Sequence, residues 1–230
     1  VAEPKTIGIL GGMGPAATVD LFDKLVRATN APTDQDHLRI LIDNNPRIPN
    51  RNEAIAGRGP SPVPALIAGA KGLEREGADF ILISCNTAHF FAADIQAAIS
   101  IPILNMIEAV VDAAKARGVK RAGVMAGTGC IDARLYQDAL THARVEPLTH
   151  DAEQQARMMA LIYRIKGGDL SEASRVEARA LAGVLIAQGA EAIIAGCTEA
   201  PLVLFQNDIG VPLLNSTDIL VERAIAFARA

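Results

Sequence analysis

One segment of this chain is written twice. Gly77-Ala78-Asp79-Phe80-Ile81-Leu82-Ile83-Ser84-Cys85-Asn86-Thr87 returns as Gly189-Ala190-Glu191-Ala192-Ile193-Ile194-Ala195-Gly196-Cys197-Thr198-Glu199, with a cysteine eight residues after the glycine in each copy. A second echo aligns Lys5-Thr6-Ile7-Gly8-Ile9-Leu10-Gly11-Gly12-Met13-Gly14 with Lys120-Arg121-Ala122-Gly123-Val124-Met125-Ala126-Gly127-Thr128-Gly129, three glycines falling in register. Two structural duplicates are implied, each carrying one thiol at the same place. If the halves face each other across a pseudo-two-fold axis, the thiols approach one small ligand from opposite faces, an arrangement suited to moving a proton across a stereocentre.

A chain of 230 residues, half of them hydrophobic, can bury one large α/β core or two small ones. The duplication favours two, with boundaries expected at 1–104 plus 215–230 for the first domain and 105–214 for the second. Apolar runs rich in Ile, Val and Leu alternate with Ala-rich stretches of helical period, the pattern of parallel strands covered by helices. Strands are predicted near 5–10, 38–43, 79–84, 102–104, 121–126, 191–196 and 212–214. Helices are predicted over 15–29, 62–76, 107–117, 130–142, 152–166, 171–188 and 217–229. Pro15 suits a helix first turn and Gly118 a helix end. The Pro-rich stretch from Asn44 to Pro64 reads as a long ordered loop.

Composition excludes several classes of partner. The net charge is −4 with basic residues scattered, so no positive stripe exists for nucleic acid, and 3% aromatic content argues against base stacking. No apolar run approaches the roughly 20 residues that span a bilayer. With no apolar signal core, the three cysteines read as free thiols in a soluble, cytoplasmic protein.

In open parallel sheets the ligand crevice lies beyond the carboxyl ends of the strands, where Gly11 to Gly14, Cys85 and Cys197 all fall. A cysteine at a strand-to-helix turn is expected to have its thiolate favoured by helix N–H groups and the macrodipole. Burial alone can also explain a cysteine, since it is among the most buried residue types. Matched positions in a duplicated motif weigh toward a proton-transferring pair. Asn86, Thr87, Thr198 and Glu199 follow the two thiols and offer hydrogen-bonding groups at expected helix N-termini, where a carboxylate is well received, although Asn and Thr also serve as helix caps. Glu199 either orients Cys197 or is an ordinary first-turn acid.

Ile7-Gly8-Ile9-Leu10-Gly11-Gly12-Met13-Gly14-Pro15, Asn44-Asn45-Pro46-Arg47-Ile48-Pro49-Asn50-Arg51, Cys85-Asn86-Thr87-Ala88-His89 and Gly196-Cys197-Thr198-Glu199 together resemble the motifs of the aspartate/glutamate racemase superfamily, aspartate racemase branch. The resemblance runs nearly end to end. It implies a cofactor-independent two-base racemase of two similar α/β domains with the active site between them, usually a homodimer, acting on a small acidic amino acid. By motif, Cys85 and Cys197 correspond to the proton-transferring pair. Met13, Gly14, Asn86, Thr87 and Thr198 fall where the α-carboxylate and amino groups are bound, and Thr128 and Glu199 are counted with them as substrate-binding. Arg51 and Lys166 match the basic residues that hold the side-chain carboxylate. Leu10-Gly11 stands where glutamate racemases carry Asp-Ser, which argues for the aspartate branch. Cys130 stands where aspartate racemases often have threonine, and reads as a structural replacement.

Other readings account for less. Gly12-Met13-Gly14-Pro15-Ala16-Ala17 fits a dinucleotide-binding turn, but Asp43 lies 31 residues beyond Gly12 where about 20 is expected. Cys85 and His89 have i, i+4 spacing for zinc but lack a clear set of four ligands. A ligand-binding protein, a broader-specificity amino-acid racemase, a hydantoin racemase or a cis–trans isomerase with the same two cysteines remain as alternatives.

Overall fold

The computed structural model describes residues 3–230. In chain order the elements are β1 (Ile7–Gly11), α1 (Pro15–Thr29), β2 (Ile40–Asn44), α2 (Arg51–Ile55), α3 (Val63–Arg75), β3 (Phe80–Ile83), α4 (Ala92–Gln96), β4 (Ile103–Leu104), α5 (Met106–Ala116), β5 (Arg121–Ala126), α6 (Thr128–Asp132), α7 (Leu135–His142), β6 (Glu146–Leu148), α8 (Ala152–Lys166), α9 (Glu172–Ala187), β7 (Ala192–Gly196), β8 (Leu213–Asn215) and α10 (Ser216–Arg229). The chain divides into two compact units, 1–106 with 217–230, and 107–216. Each unit holds one four-stranded parallel sheet flanked by helices, ordered β2-β1-β3-β4 in the first and β6-β5-β7-β8 in the second. The two orders are the same once the second is counted from β5. The fold is therefore the duplicated α/β architecture that the repeated segment predicts.

The echo has a physical cause. Helices α3 and α9 both end in a left-handed glycine, Gly77 (φ +93°) and Gly189 (φ +96°), a conformation that costs any residue with a Cβ. In each, the next two N–H groups fold back onto the last turn, Gly77 to Glu74 and Ala78 to Leu73, then Gly189 to Ile186 and Ala190 to Leu185, which satisfies carbonyls the helix end would leave open. The acid that follows closes the join: an Asp79 oxygen accepts from the Thr6 backbone N–H at 2.6 Å, and a Glu191 oxygen from that of Lys120 at 2.7 Å. Gly8 is needed because a Cβ there would lie 2.9 Å from the Ala78 Cβ, and Gly123 because one there would lie 3.2 Å from the Ala190 Cβ. Glycine, alanine and acid thus form a three-point joint from helix to central strand.

Alternation along the strands builds the core of the first unit on both sheet faces. Ile7, Ile9, Phe80 and Leu82 pack with Leu21 and Leu25 of α1 and with Leu220, Val221 and Ala224 of α10. Leu10, Ile81 and Ile83 pack with Leu66, Ala70 and Leu73 of α3. In the second unit Met125, Ile193 and Ala195 pack on α8 and α9 through Leu161, Ile162, Leu181 and Leu185.

Four local expectations change. The segment 44–64 contains α2, which begins where the Asn50 side chain accepts from the Asn52 N–H. The predicted helix 130–142 is two helices, parted at Arg134, which takes a left-handed conformation (φ 55°). Strand β6 was not predicted, being three residues long with a central proline. A third echo also went unread: Ile101-Pro102-Ile103-Leu104-Asn105 matches Val211-Pro212-Leu213-Leu214-Asn215, and a glutamine five residues upstream clamps each edge strand. Gln96 donates to the Ile101 carbonyl and accepts from the Ile103 N–H, and Gln206 does the same with Val211 and Leu213.

At Gly77 an added Cβ meets nothing closer than 3.5 Å, so Gly77→Ala isolates the backbone cost. Urea denaturation should show a loss of about 1–2 kcal/mol.

Candidate functional site

In the first unit the turn after β1 and the segment after β3 leave neighbouring strands at their carboxyl ends, since Leu10 is paired with Ile83. Gly12 has φ +90°, and a Cβ there would come within 2.3 Å of the Asn45 backbone. The Gly12 N–H donates to the Thr18 hydroxyl at 2.9 Å, and that hydroxyl lies 3.1 Å from the Ser84 hydroxyl, one residue before Cys85. Thr18 and Ser84 therefore tie the glycine turn to the cysteine segment. Neither hydroxyl belongs to a recognisable motif, and both escaped the sequence reading.

Arg51 sits at the first position of α2. Its Nη1 donates to the Ile48 and Pro49 carbonyls at 3.1 and 2.8 Å, and its Nη2 to the Met13 carbonyl at 3.3 Å. The guanidinium is thus brought to the Met13–Gly14 turn and is more than a solvated surface charge. Its Nε is buried with no hydrogen-bond partner among the described residues.

Cys85, Asn86 and Thr87 are all buried. The buried ring of His89 holds their backbone: Nδ1 lies 2.9 Å from the Cys85 carbonyl and 3.2 Å from that of Asn86, while Nε2 accepts from the Met106 N–H at 3.1 Å. A backbone N–H can only donate, so the hydrogen resides on Nδ1. Both ring nitrogens are committed to backbone groups, which removes the Cys85 and His89 zinc reading. No cluster of three His, Cys, Asp or Glu that could hold a metal occurs among the described residues.

In the second unit Ala126 pairs with Gly196, so the β5 turn and the β7 cysteine segment are again neighbours. The Thr128 N–H lies 3.1 Å from the Met159 sulfur, and the Thr128 hydroxyl accepts from Gln155, whose amide also donates to the Ala126 carbonyl. Gln155, another residue the sequence reading missed, positions Thr128 from α8. Cys130 is fully buried on α6. Gly196 is required by Tyr136, since a Cβ there would stand 2.8 Å from the ring. Burial pushes the Tyr136 hydroxyl well above its ordinary range, with Cys130 and Cys197 adding to the shift, and the hydroxyl bonds to Ser216.

Cys197, Thr198, Glu199 and Lys166 form one cluster. The Cys197 thiol donates to Glu199 Oε2 at 2.9 Å, the Thr198 hydroxyl reaches the same oxygen at 3.4 Å, and Lys166 Nζ pairs with Oε1. Glu199 is 3% exposed, while Lys166, the last residue of α8, is 29% exposed. Lys166 therefore meets a carboxylate of its own chain.

The expected thiolate stabilisation by helix ends is corrected for Cys197. Burial pushes its thiol well above the ordinary range, the Glu199 charge adds to this, and Lys166 opposes it. Only a three-residue 3₁₀ turn (Ala200–Leu202) follows Cys197, and a five-residue one (Thr87–Phe91) follows Cys85. The turn after Cys197 aligns too few peptides for a macrodipole, whereas the one after Cys85 runs directly into α4.

His89 makes the first unit acid-sensitive. Burial lowers its pKa from 6.5 to about 4, against the opposing pull of the two carbonyls. A lowered base takes its proton in the unfolded chain first, so this contribution is whole above pH 6.5 and is lost as pH falls toward about 4, by about 3 kcal/mol in all. His150, also lowered by burial, acts in the same direction. Urea denaturation between pH 4 and 7 should show the decline, and His89→Asn should flatten it while lowering stability at pH 7.

The sequence profile of the Asp/Glu/Hydantoin racemase family matches residues 10–224 of this chain. The chain is 30% identical over 224 residues to the broad specificity amino-acid racemase RacX of Bacillus subtilis, covering 96% of each protein. It superposes on the Picrophilus torridus aspartate racemase with a TM-score of 0.89 at 31% identity, over 98% of this chain and 94% of that one. It shares its fold with the glutamate racemase of Francisella tularensis at a TM-score of 0.72 and 18% identity, over 97% of this chain and 80% of the other.

Proposed function

We propose that this chain, which belongs to the Asp/Glu/hydantoin racemase family, interconverts L- and D-aspartate by passing the α-proton between two cysteines without a cofactor. The observation that carries the reading is the matched placement of the thiols. Cys85 follows β3 and Cys197 follows β7, the corresponding strands of two sheets with one topology. One thiolate removes the α-proton and the other thiol delivers a proton to the opposite face, so each sulfur must come within about 3–3.5 Å of the α-carbon. Met13, Gly14, Asn86, Thr87, Thr128 and Thr198 would receive the α-carboxylate and ammonium groups, and Arg51 and Lys166 the distal carboxylate. The similarity to an aspartate racemase supports this choice of substrate. The reading includes a homodimer in a reducing, cytoplasmic setting, which suits three free cysteines. No helix among the described residues is long and apolar enough to cross a membrane.

A second reading, broader amino-acid specificity, is favoured by the state of the two cations. Arg51 already donates to three carbonyls, and Lys166 already holds the Glu199 carboxylate. The comparable similarity to RacX supports it too.

Incubation with single amino acids in deuterium oxide, following α-proton loss and optical rotation, separates the readings. Aspartate should exchange and racemise, Cys85→Ala and Cys197→Ala should each abolish racemisation, and exchange of no amino acid would end the racemase assignment. Arg51→Ala and Lys166→Ala should weaken kcat/KM for aspartate about 10- to 150-fold, the range of one lost charge-assisted bond, with less effect on a neutral amino acid. Equal losses on both substrates would favour the broader specificity.

A further inference from the structure

Two adjacent glutamines stand near the start of α8, and the helix itself uses only one of them. Gln154 completes the cap: its Oε1 accepts from the Asp151 N–H at 3.2 Å, while its own N–H donates to Asp151 Oδ1 at 2.8 Å. The Gln155 side chain instead reaches the carboxyl end of β5, where its Nε2 donates to the Ala126 carbonyl at 3.0 Å and to the Thr128 hydroxyl at 3.3 Å. A carbonyl can only accept, so the amide nitrogen must face Ala126 and the amide cannot be turned over. Its oxygen is therefore fixed on the other edge. There Oε1 is buried with no hydrogen-bond partner among the described residues. A buried acceptor left without a donor is costly, and such groups cluster where a ligand supplies the missing partner.

Thr128 offers the opposite polarity. Its hydroxyl accepts from Gln155, which leaves the hydroxyl hydrogen to donate elsewhere, and its N–H rests on the Met159 sulfur, a weak acceptor that a charged oxygen displaces. Two donors thus stand beside one acceptor in the contact between Gln155 and Thr128. An α-amino acid carries a carboxylate and an ammonium on one carbon, the complement of that arrangement. We propose that Gln155 is a substrate-binding residue whose Oε1 receives the α-ammonium while Thr128 holds the α-carboxylate, an inference that rests on the racemase reading above. An amide suits this task better than a carboxylate would. Its oxygen accepts a hydrogen bond without taking the proton, so the ammonium keeps its charge, and a positive charge beside the α-carbon stabilises the carbanion that forms as the α-proton leaves.

Calorimetric titration with L-aspartate and with succinate, which has the same two carboxylates and no ammonium, reads this contact directly, since racemisation of a ligand releases no heat. The wild-type chain should bind aspartate more tightly than succinate. Gln155→Met keeps the length of the side chain and removes both amide atoms, so it should weaken aspartate about tenfold or more beyond any loss for succinate, the effect of one missing hydrogen bond to a charged group. A merely structural role would weaken both ligands alike, because both bring a carboxylate to Thr128. If Gln155→Met does not fold, Gln155→Asn, whose amide is withdrawn by one carbon, should lower the same ratio of affinities. Where aspartate is not bound, alanine and propionate take the place of the pair. Equal wild-type affinities for the two members of a pair, an unchanged ratio in the variant, or binding of neither amino acid would overturn the proposal. If the wild-type chain binds aspartate but exchanges no α-proton, the racemase reading fails, and the ratio of affinities still decides the role of Gln155.

Discussion

The contact of a central strand with the end of a helix, Gly8 against Ala78 and Gly123 against Ala190, is the constraint from which each unit is built. It admits no side chain on the strand and only a methyl group on the turn. Because Gly8 also pairs with Ile81, and Gly123 with Ile193, the close approach and the strand register are one arrangement. A slip of one residue would put a side chain against the alanine and move every core residue of the strand to the opposite face of the sheet. The position of each cysteine follows from this joint, since the cysteine falls only seven residues after the alanine in both copies.

The two cysteines share a topological address and differ in surroundings. Around Cys85 the organising group is a neutral imidazole that bonds to backbone on both sides, so the segment is held without adding charge. Around Cys197 it is an ion pair, and the thiol is a donor to its buried member. A duplicated scaffold thus carries one neutral and one charged environment. Twofold similarity of backbone does not extend to the electrostatics.

Fold class was legible because its signals are short-range: apolar runs, left-handed glycines and the repeated joint all lie within a dozen residues. Strand β6 was not, since Pro147 and a length of three residues suppress the pattern on which strand recognition relies. The break at Arg134 was hidden for a related reason, because a single left-handed residue leaves the composition of a helix unchanged. At the candidate site, the segments bearing Cys85 and Cys197 could be read from the echo, but their protonation environments could not. Lys166 meets Glu199 across 33 positions of sequence, and that meeting depends on where α8 stops. His89 meets Met106 through a backbone N–H, which has no residue code.

The division of the chain has a consequence for its synthesis. Unit 2, residues 107–216, is inserted within unit 1, and α10 returns to the first unit after it. Leu220, Val221 and Ala224 of α10 cover the face of the first sheet that bears Ile7, Ile9, Phe80 and Leu82. On the ribosome, then, the half begun first is finished last: the apolar face of its sheet has only α1 to cover it while the whole of the other half is translated. The nascent chain must carry that half-covered surface for more than a hundred residues of elongation before α10 can close it.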